Sequence, residues 1–183
     1  MRNVMIIAFI SLFLFSCTKK ENTIDLLDYS FSGTFSQVYS LKINQTDTVY
    51  IHQDWMGYRL KNGISDPKDK TNYYAILNKK EKLKLFNYIE KVNLFKYKSE
   101  YSLEHIIDGS TYIIGITKDN KNKMISVYGG GAPKEIDSIA ILINNLKQKL
   151  ILKETKKNLH FESEKIISFL KPPLPPPVKN INN

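Results

Sequence analysis

A single cysteine, Cys17, stands among 183 residues. That scarcity removes a disulfide framework, a two-cysteine redox pair and a cysteine-built zinc cluster together. Arginine is nearly as rare: of 27 basic residues only Arg2 and Arg59 carry a guanidinium. Specific phosphate or base recognition leans on that bidentate group, so nucleic acid is not an expected partner. The formal charge of +9 is therefore lysine charge, spread as Lys79, Lys80, Lys82 and Lys84 and again as Lys118, Lys121 and Lys123. Such spacing describes a solvated face with a general attraction for anionic polymers or lipid surfaces. No apolar run reaches the about 20 residues that a membrane-spanning helix needs; the run from Val4 to Phe15 is too short. Also missing are an HExxH spacing, the Lys-Ser/Thr of a P-loop and a GxGxxG turn, and no Ser-x-x-Lys pair stands out.

What is present starts at the beginning of the chain. Arg2 supplies a positive charge, Val4 to Phe15 an apolar stretch, and Leu14-Phe15-Ser16-Cys17 follows, the layout of a cleaved export signal. The last four residues resemble the lipobox of bacterial lipoproteins. Leu14 and Ser16 match its pattern, and Phe15 is bulkier than usual there. The resemblance implies removal of residues 1–16 and acylation of Cys17 on its sulfur and its new amine. Each buried CH₂ contributes about 0.8 kcal/mol, and stable anchoring takes more than one chain. Acylation also leaves no thiol for chemistry. Lys19-Lys20-Glu21, with no Asp directly after Cys17, implies the periplasmic face of the outer membrane. The expected partners are the membrane itself and an envelope protein or anionic envelope polymer; no cofactor is expected.

Residues 17–30 are expected to form a tether, residues 31–151 the domain and residues 152–183 a tail. Within the domain, Tyr39, Leu41 and Ile43 alternate with polar neighbours, Asn44 to Asp47 is turn chemistry, and Val49 and Ile51 return. Tyr58 to Lys61 suggests a further strand, and Tyr73 to Leu77 resumes sheet texture. Asn78 with Glu81 forms a capping-box arrangement, and Leu85, Phe86, Ile89 and Val92 fall on one helical face, so a helix is expected over 79–92. A second hairpin runs from Tyr112 to Tyr128 around Lys118 to Asn122. Gly129-Gly130-Gly131 turns, and Pro133 opens a helix with Ile136, Ile139, Ala140, Ile143, Leu146 and Leu150 inward. Two antiparallel hairpins in a sheet with two helices packed against it make an α+β, two-layer fold. Pro172 to Pro177 is expected as extended polyproline II.

This texture from Phe31 to Leu150 resembles a family of small bacterial, often lipoprotein, domains known only as a domain of unknown function. The shared features are Val38 to Ile43, Thr48 to Tyr50, the helix from Lys79, Phe95, Tyr101, Asp108 and the Gly-rich turn with Pro133. Relatives carry a cysteine just before the first strand. Here Gly33 to Gln37 has none, so no redox role carries over, and the resemblance implies a fold without an activity.

Two pairs of side chains deserve weighing as chemistry. His52 with Asp54 and His105 with Asp108 would make a zinc-like or hydrolase site if the two segments converged; a surface histidine and a loop-starting Asp explain the same residues. Gly129 to Gly131 lacks every companion of a phosphate loop and reads as a turn. Tyr50, Trp55, Tyr58, Tyr73 and Tyr74 cluster in sequence, where packing explains them first and a carbohydrate or peptide groove second. The leading expectation is a membrane-anchored, non-enzymatic binding or structural domain. The alternative is a small hydrolase or metal-binding protein using His52, Asp54, His105 and Asp108.

Overall fold

The computed structural model describes residues 24–33, 38–54, 70–103, 105–106 and 109–169. Among these, eight strands form one sheet: β1 (Ile24–Ser32), β2 (Val38–Asn44), β3 (Thr48–Asp54), β4 (Lys70–Ile76), β5 (Glu100–Ser102), β6 (Thr111–Lys118), β7 (Lys121–Tyr128) and β8 (Lys153–Glu154). Three helices accompany it, α1 (Lys79–Val92), α2 (Lys134–Lys149) and α3 (Glu162–Phe169). The strand order is β5-β7-β6-β1-β2-β3-β4-β8. The α+β class holds, with a larger sheet and one more helix than two hairpins and two helices require. The expected strand at 58–61 and the Pro-rich run lie outside the described residues.

Local signals account for several elements. The side chain of Asn78 caps α1 by accepting from Lys80 N at 2.8 Å, and Asn93, at φ 55°, ends it in the left-handed region. Glu81 does its work elsewhere, pairing with Lys149 at 3.5 Å. Asp119 and Asn120 both have positive φ, as the tight two-residue turn between β6 and β7 demands. Gly129 sits at φ 67°, and a Cβ there would meet Ile106, so the turn into α2 needs glycine. Pro133 takes the cap position one residue before α2.

Register sorts the side chains by face. Leu27, Tyr29, Leu41, Ile43, Val49, Ile51, Ile114, Ile116, Ile125 and Val127 point to one side. They pack there against Leu85, Phe86, Ile89 and Val92 of α1 and Ile136, Ile139 and Ile143 of α2. Burying each such side chain is worth about 1.5–3 kcal/mol before conformational entropy is counted. Lys82, itself buried, holds α1 to the β2–β3 turn by donating to the carbonyls of Gln45 and Thr46 at 2.5 and 2.6 Å.

Two boundaries move. Residues 24–30, expected as tether, belong to the central strand, paired to β2 on one side and β6 on the other. Leu27, Tyr29 and Phe31 alternate there with Asp28, Ser30 and Ser32, and the polar set is covered too, with Asp28 and Ser30 3% and 1% exposed. The expected tail from 152 also enters the fold: β8 pairs with β4, and α3 packs on the sheet face opposite α1 and α2. There the Asp28 carboxylate accepts from Glu162 N at 2.8 Å and from the Ser163 hydroxyl. Ser30 Oγ lies 2.7 Å from Ser163 Oγ and 2.6 Å from Ser40 Oγ. The architecture is thus two helices, a sheet, and a third helix over part of the other face.

Removing one partner from a buried charged network leaves the rest unsatisfied. Asp28→Ala should therefore lower the unfolding free energy by about 2–4 kcal/mol in urea titrations and open the 155–169 segment to proteolysis. Asp28→Asn, which keeps an acceptor, should lose less.

Candidate functional site

Of the residues singled out as possible metal ligands, His52 is on β3 and His105 lies past the end of β5. Strand order puts β3 and β5 five spacings apart, about 24 Å along the sheet at roughly 4.8 Å per strand, so the two imidazoles do not share a site. Asp54 closes β3 in backbone terms, while Asp108 and the lipidation candidate Cys17 lie outside the described residues. Among the described residues no group of three or more His, Cys, Asp or Glu side chains is placed to hold a metal. His52 has another occupation. Its Nδ1 is 2.9 Å from Glu164 Oε2, and its ring stacks on Phe161 at 6.3 Å, both from the α3 segment.

The buried polar groups around Asp28, Ser30, Ser40 and Ser163 were not foreseen. They sit too deep to meet a substrate, with Ser163 fully buried, and they act as a satisfied interior network. A second one joins α2 to the sheet. Tyr29 and Tyr39 both donate to Asn144 Oδ1, Tyr112 donates to Asp137, and Lys147 Nζ lies 4.4 Å from the centre of the Tyr39 ring. Burial raises the Tyr29 phenol well above its ordinary pKa, with the neighbouring Tyr39 and Tyr112 adding to the effect. Burial likewise raises Tyr39, and raises Tyr112 with help from Asp137, while it lowers Lys147. These phenols are kept neutral as donors.

The surface most open to a partner lies on the face that α3 only partly covers. Cross-strand register sets Lys42 opposite Tyr50, Tyr50 opposite Tyr74 and Tyr74 opposite Lys153, so the four form one row on one face. Directly opposed side chains in such a row have Cβ atoms about 4.5–5.5 Å apart. Tyr50 and Tyr74 are half-buried and Lys153 is exposed. Lys157 Nζ donates to Tyr50 Oη at 3.1 Å and lies 5.1 Å from the ring centre. Asn72 fixes that lysine's position, since its side chain donates to the Lys157 carbonyl at 2.8 Å and its own carbonyl accepts from Thr155 N at 2.9 Å.

One step further along the strands, Ile76 is 69% exposed and Ile151 84%. The β4–β8 register carried on by two residues brings them opposite each other. Lys42, at the α3 edge of the row, is committed to Asp28 at 3.6 Å and to the His160 carbonyl. Of the clustered aromatics, then, Tyr50 and Tyr74 form a pair on the open face, Tyr73 packs against the core, and Trp55 and Tyr58 lie outside the described residues. The sequence shows the cluster, but only register shows which two rings are adjacent.

A separate cavity of about 410 Å³ opens where α1 ends beside the β6–β7 turn, with Ile24, Ile89, Leu94 and Ile116 in its wall. Lys118 and Glu90 pair across it at 3.4 Å. Those four wall residues are buried in the core, while Phe95, also in the lining, is exposed at the mouth beside Asn93, Asp119 and Lys121. Among the described residues no helix is long and apolar enough to cross a membrane.

The tyrosine network has a pH signature. Below the ordinary phenol pKa of 10.0 the three rings are protonated whether the chain is folded or not, and stability is unaffected. Above it the unfolded chain ionises and the folded chain resists, so stability falls as pH rises through the folded values. Tyrosinate absorbance should therefore leave Tyr29, Tyr39 and Tyr112 silent above pH 10 until the chain unfolds, and Tyr112→Phe should reduce the silent signal by one ring.

No curated protein matches the chain. A family model does, over residues 35–147. The two elements joined at Asp28, β1 and α3, lie outside that segment, although β1 separates β2 from β6 within it. The matched residues make up well over half of the sequence, and the chain belongs to the DUF6438 family, a domain of unknown function.

Proposed function

We propose that this protein is an envelope lipoprotein, acylated at Cys17, whose domain is a non-enzymatic binding module for an anionic polymer of the envelope. The observation that carries the binding half is the row Lys42-Tyr50-Tyr74-Lys153 with Lys157 beside it. Adjacent tyrosine rings offer flat apolar area with polar tips, the chemistry that stacks on the C–H faces of sugar rings. The Lys153 and Lys157 ammonium groups beside them favour carboxylate or phosphate substituents. A row of cross-strand neighbours presents these groups in a line, as an extended polymer needs. The Leu14-Phe15-Ser16-Cys17 pattern supports the anchoring half, and the outer membrane's periplasmic face is the location it favours.

Each half has its own test. Cells making the Cys17→Ser chain should show no palmitate incorporation and should release the protein from the membrane fraction; persistent labelling would sink the anchor. For binding, the purified full chain should retain polygalacturonate on a column at low salt and release it near 0.5 M, while a neutral glucan passes through. Exposed charge pairs weaken steeply once the Debye length falls well below about 10 Å. Replacing Tyr74 by Thr, a strand-compatible residue, together with Lys153→Gln should weaken polyuronate binding about tenfold, the scale of one lost aromatic contact. Equal retention of the neutral glucan, or no effect of the double variant, would refute the anionic-polymer reading.

A further inference from the structure

The end of the sheet at which β1 begins carries features that the open face does not explain. Ile24 opens β1, and seven Cα steps back lies Cys17. At no more than about 3.6 Å per residue, that segment reaches at most about 25 Å. An anchor at Cys17 therefore keeps this end of the domain next to the membrane.

The element lying across this end is α1. Its first turn is tied to the β2–β3 turn, through Leu77 N to the Asp47 carbonyl at 2.7 Å and through Lys82 to Gln45 and Thr46. Gln45 in turn donates to Asp25, the second residue of β1, at 2.9 Å. The other end of α1 meets Ile24 and the β6–β7 turn around the cavity, with Glu90 on Lys118. The helix thus runs from one set of strand ends to another, beneath the start of the central strand.

The surface that α1 turns outward is cationic. Opposite its buried stripe, Lys80, Lys84, Asn87 and Lys91 are exposed at helical spacing, and Leu83 beside them is 40% exposed. Lys121, on the neighbouring turn, is exposed as well. Three acids of this end are committed to lysines, Glu81 to Lys149, Glu90 to Lys118 and Asp47 to Lys82, while Asp25 accepts from Gln45 and Asp119 is exposed on the β6–β7 turn. Lysines on the outer stripe with an apolar residue at its edge match the chemistry of an anionic lipid surface, where ammonium groups meet phosphates and a Leu side chain reaches the acyl boundary.

We infer that the outer stripe of α1, with Lys121, is a membrane-contact face that lies on anionic phospholipid headgroups. This rests on the anchor at Cys17 and adds an orientation to it. The helix lies along the membrane plane, and the sheet stands away from it. In this placement α2 shares the α1 side of the sheet, and α3, held to Asp28 on the opposite face, is turned away from the bilayer.

The chain's single cysteine makes the test clean, because acylation consumes Cys17 and leaves any introduced cysteine as the sole free thiol. The lipidated full chain carrying Lys84→Cys, labelled with an environment-sensitive fluorophore, is reconstituted into phosphatidylcholine vesicles with or without phosphatidylglycerol. Lys165→Cys, on α3 across the opposite face of the sheet, serves as the distant site. The Lys84 label should brighten at least twofold when phosphatidylglycerol is present and lose that gain in 1 M salt, whereas the Lys165 label should not respond. Adding Lys80→Glu and Lys91→Glu should abolish the gain at Lys84 while circular dichroism stays unchanged. An acylated chain whose two labels respond alike, or whose Lys84 label ignores lipid charge, would overturn the orientation and leave the anchor standing. An unmodified Cys17 in the mass spectrum would overturn both.

Discussion

A carboxylate placed in the middle of a sheet must find donors, and the way Asp28 finds them organises this molecule. Its position on β1 is 3% exposed, so water cannot serve it. The first turn of α3 does, through the backbone N–H of Glu162 and the hydroxyl of Ser163, with the Lys42 ammonium on the same oxygen as the N–H. The free N–H groups and positive end of a helix suit an anion, and the arrangement satisfies strand and helix together. An eight-residue helix is marginal alone in water; held at its start by a fixed acceptor, and packed through Phe161 and Ile167, it becomes part of the domain. Because α3 covers only part of its face, the rest of that face is left for Tyr50 and Tyr74.

How much of this could be read in the sequence depends on how local each signal is. The first long helix is fully legible, since Asn78, the apolar stripe and Asn93 all lie within it or beside it. The β6–β7 hairpin is equally readable, its turn written in Asp119 and Asn120. By contrast, α3 has no local cap, because its acceptor is 134 residues earlier in the chain. β1 carries a local signal, Leu27, Tyr29 and Phe31 alternating with Asp28, Ser30 and Ser32; what the sequence does not show is that a helix from the far end of the chain covers the polar set. The histidine pairs fail for a topological reason. Whether His52 and His105 meet depends on strand order, and β7, β6, β1 and β2 intervene.

The proposed roles divide the surface by direction. The α1 end, with its lysine stripe, and the open face, with its tyrosine pair, are different sides of the domain. Both are basic, but one surrounds its charge with a helix and a leucine edge and the other with aromatic rings in register. A diffuse positive charge would attract any polyanion; the rings and the row geometry are what would discriminate among them. That distinction arises in the fold, since the lysines are spread through the sequence with little pattern of their own.

The central position of β1 has a mechanical meaning. With the proposed anchor at Cys17, a pull on the domain would reach it through the strand nearest the tether. Here that strand is hydrogen-bonded along both edges, six residue pairs to β2 and eight to β6. A force along β1 loads those ladders in shear, so many bonds must fail together instead of opening one by one like a zipper. Placing β1 in the middle of the sheet would make the proposed attachment point resist peeling.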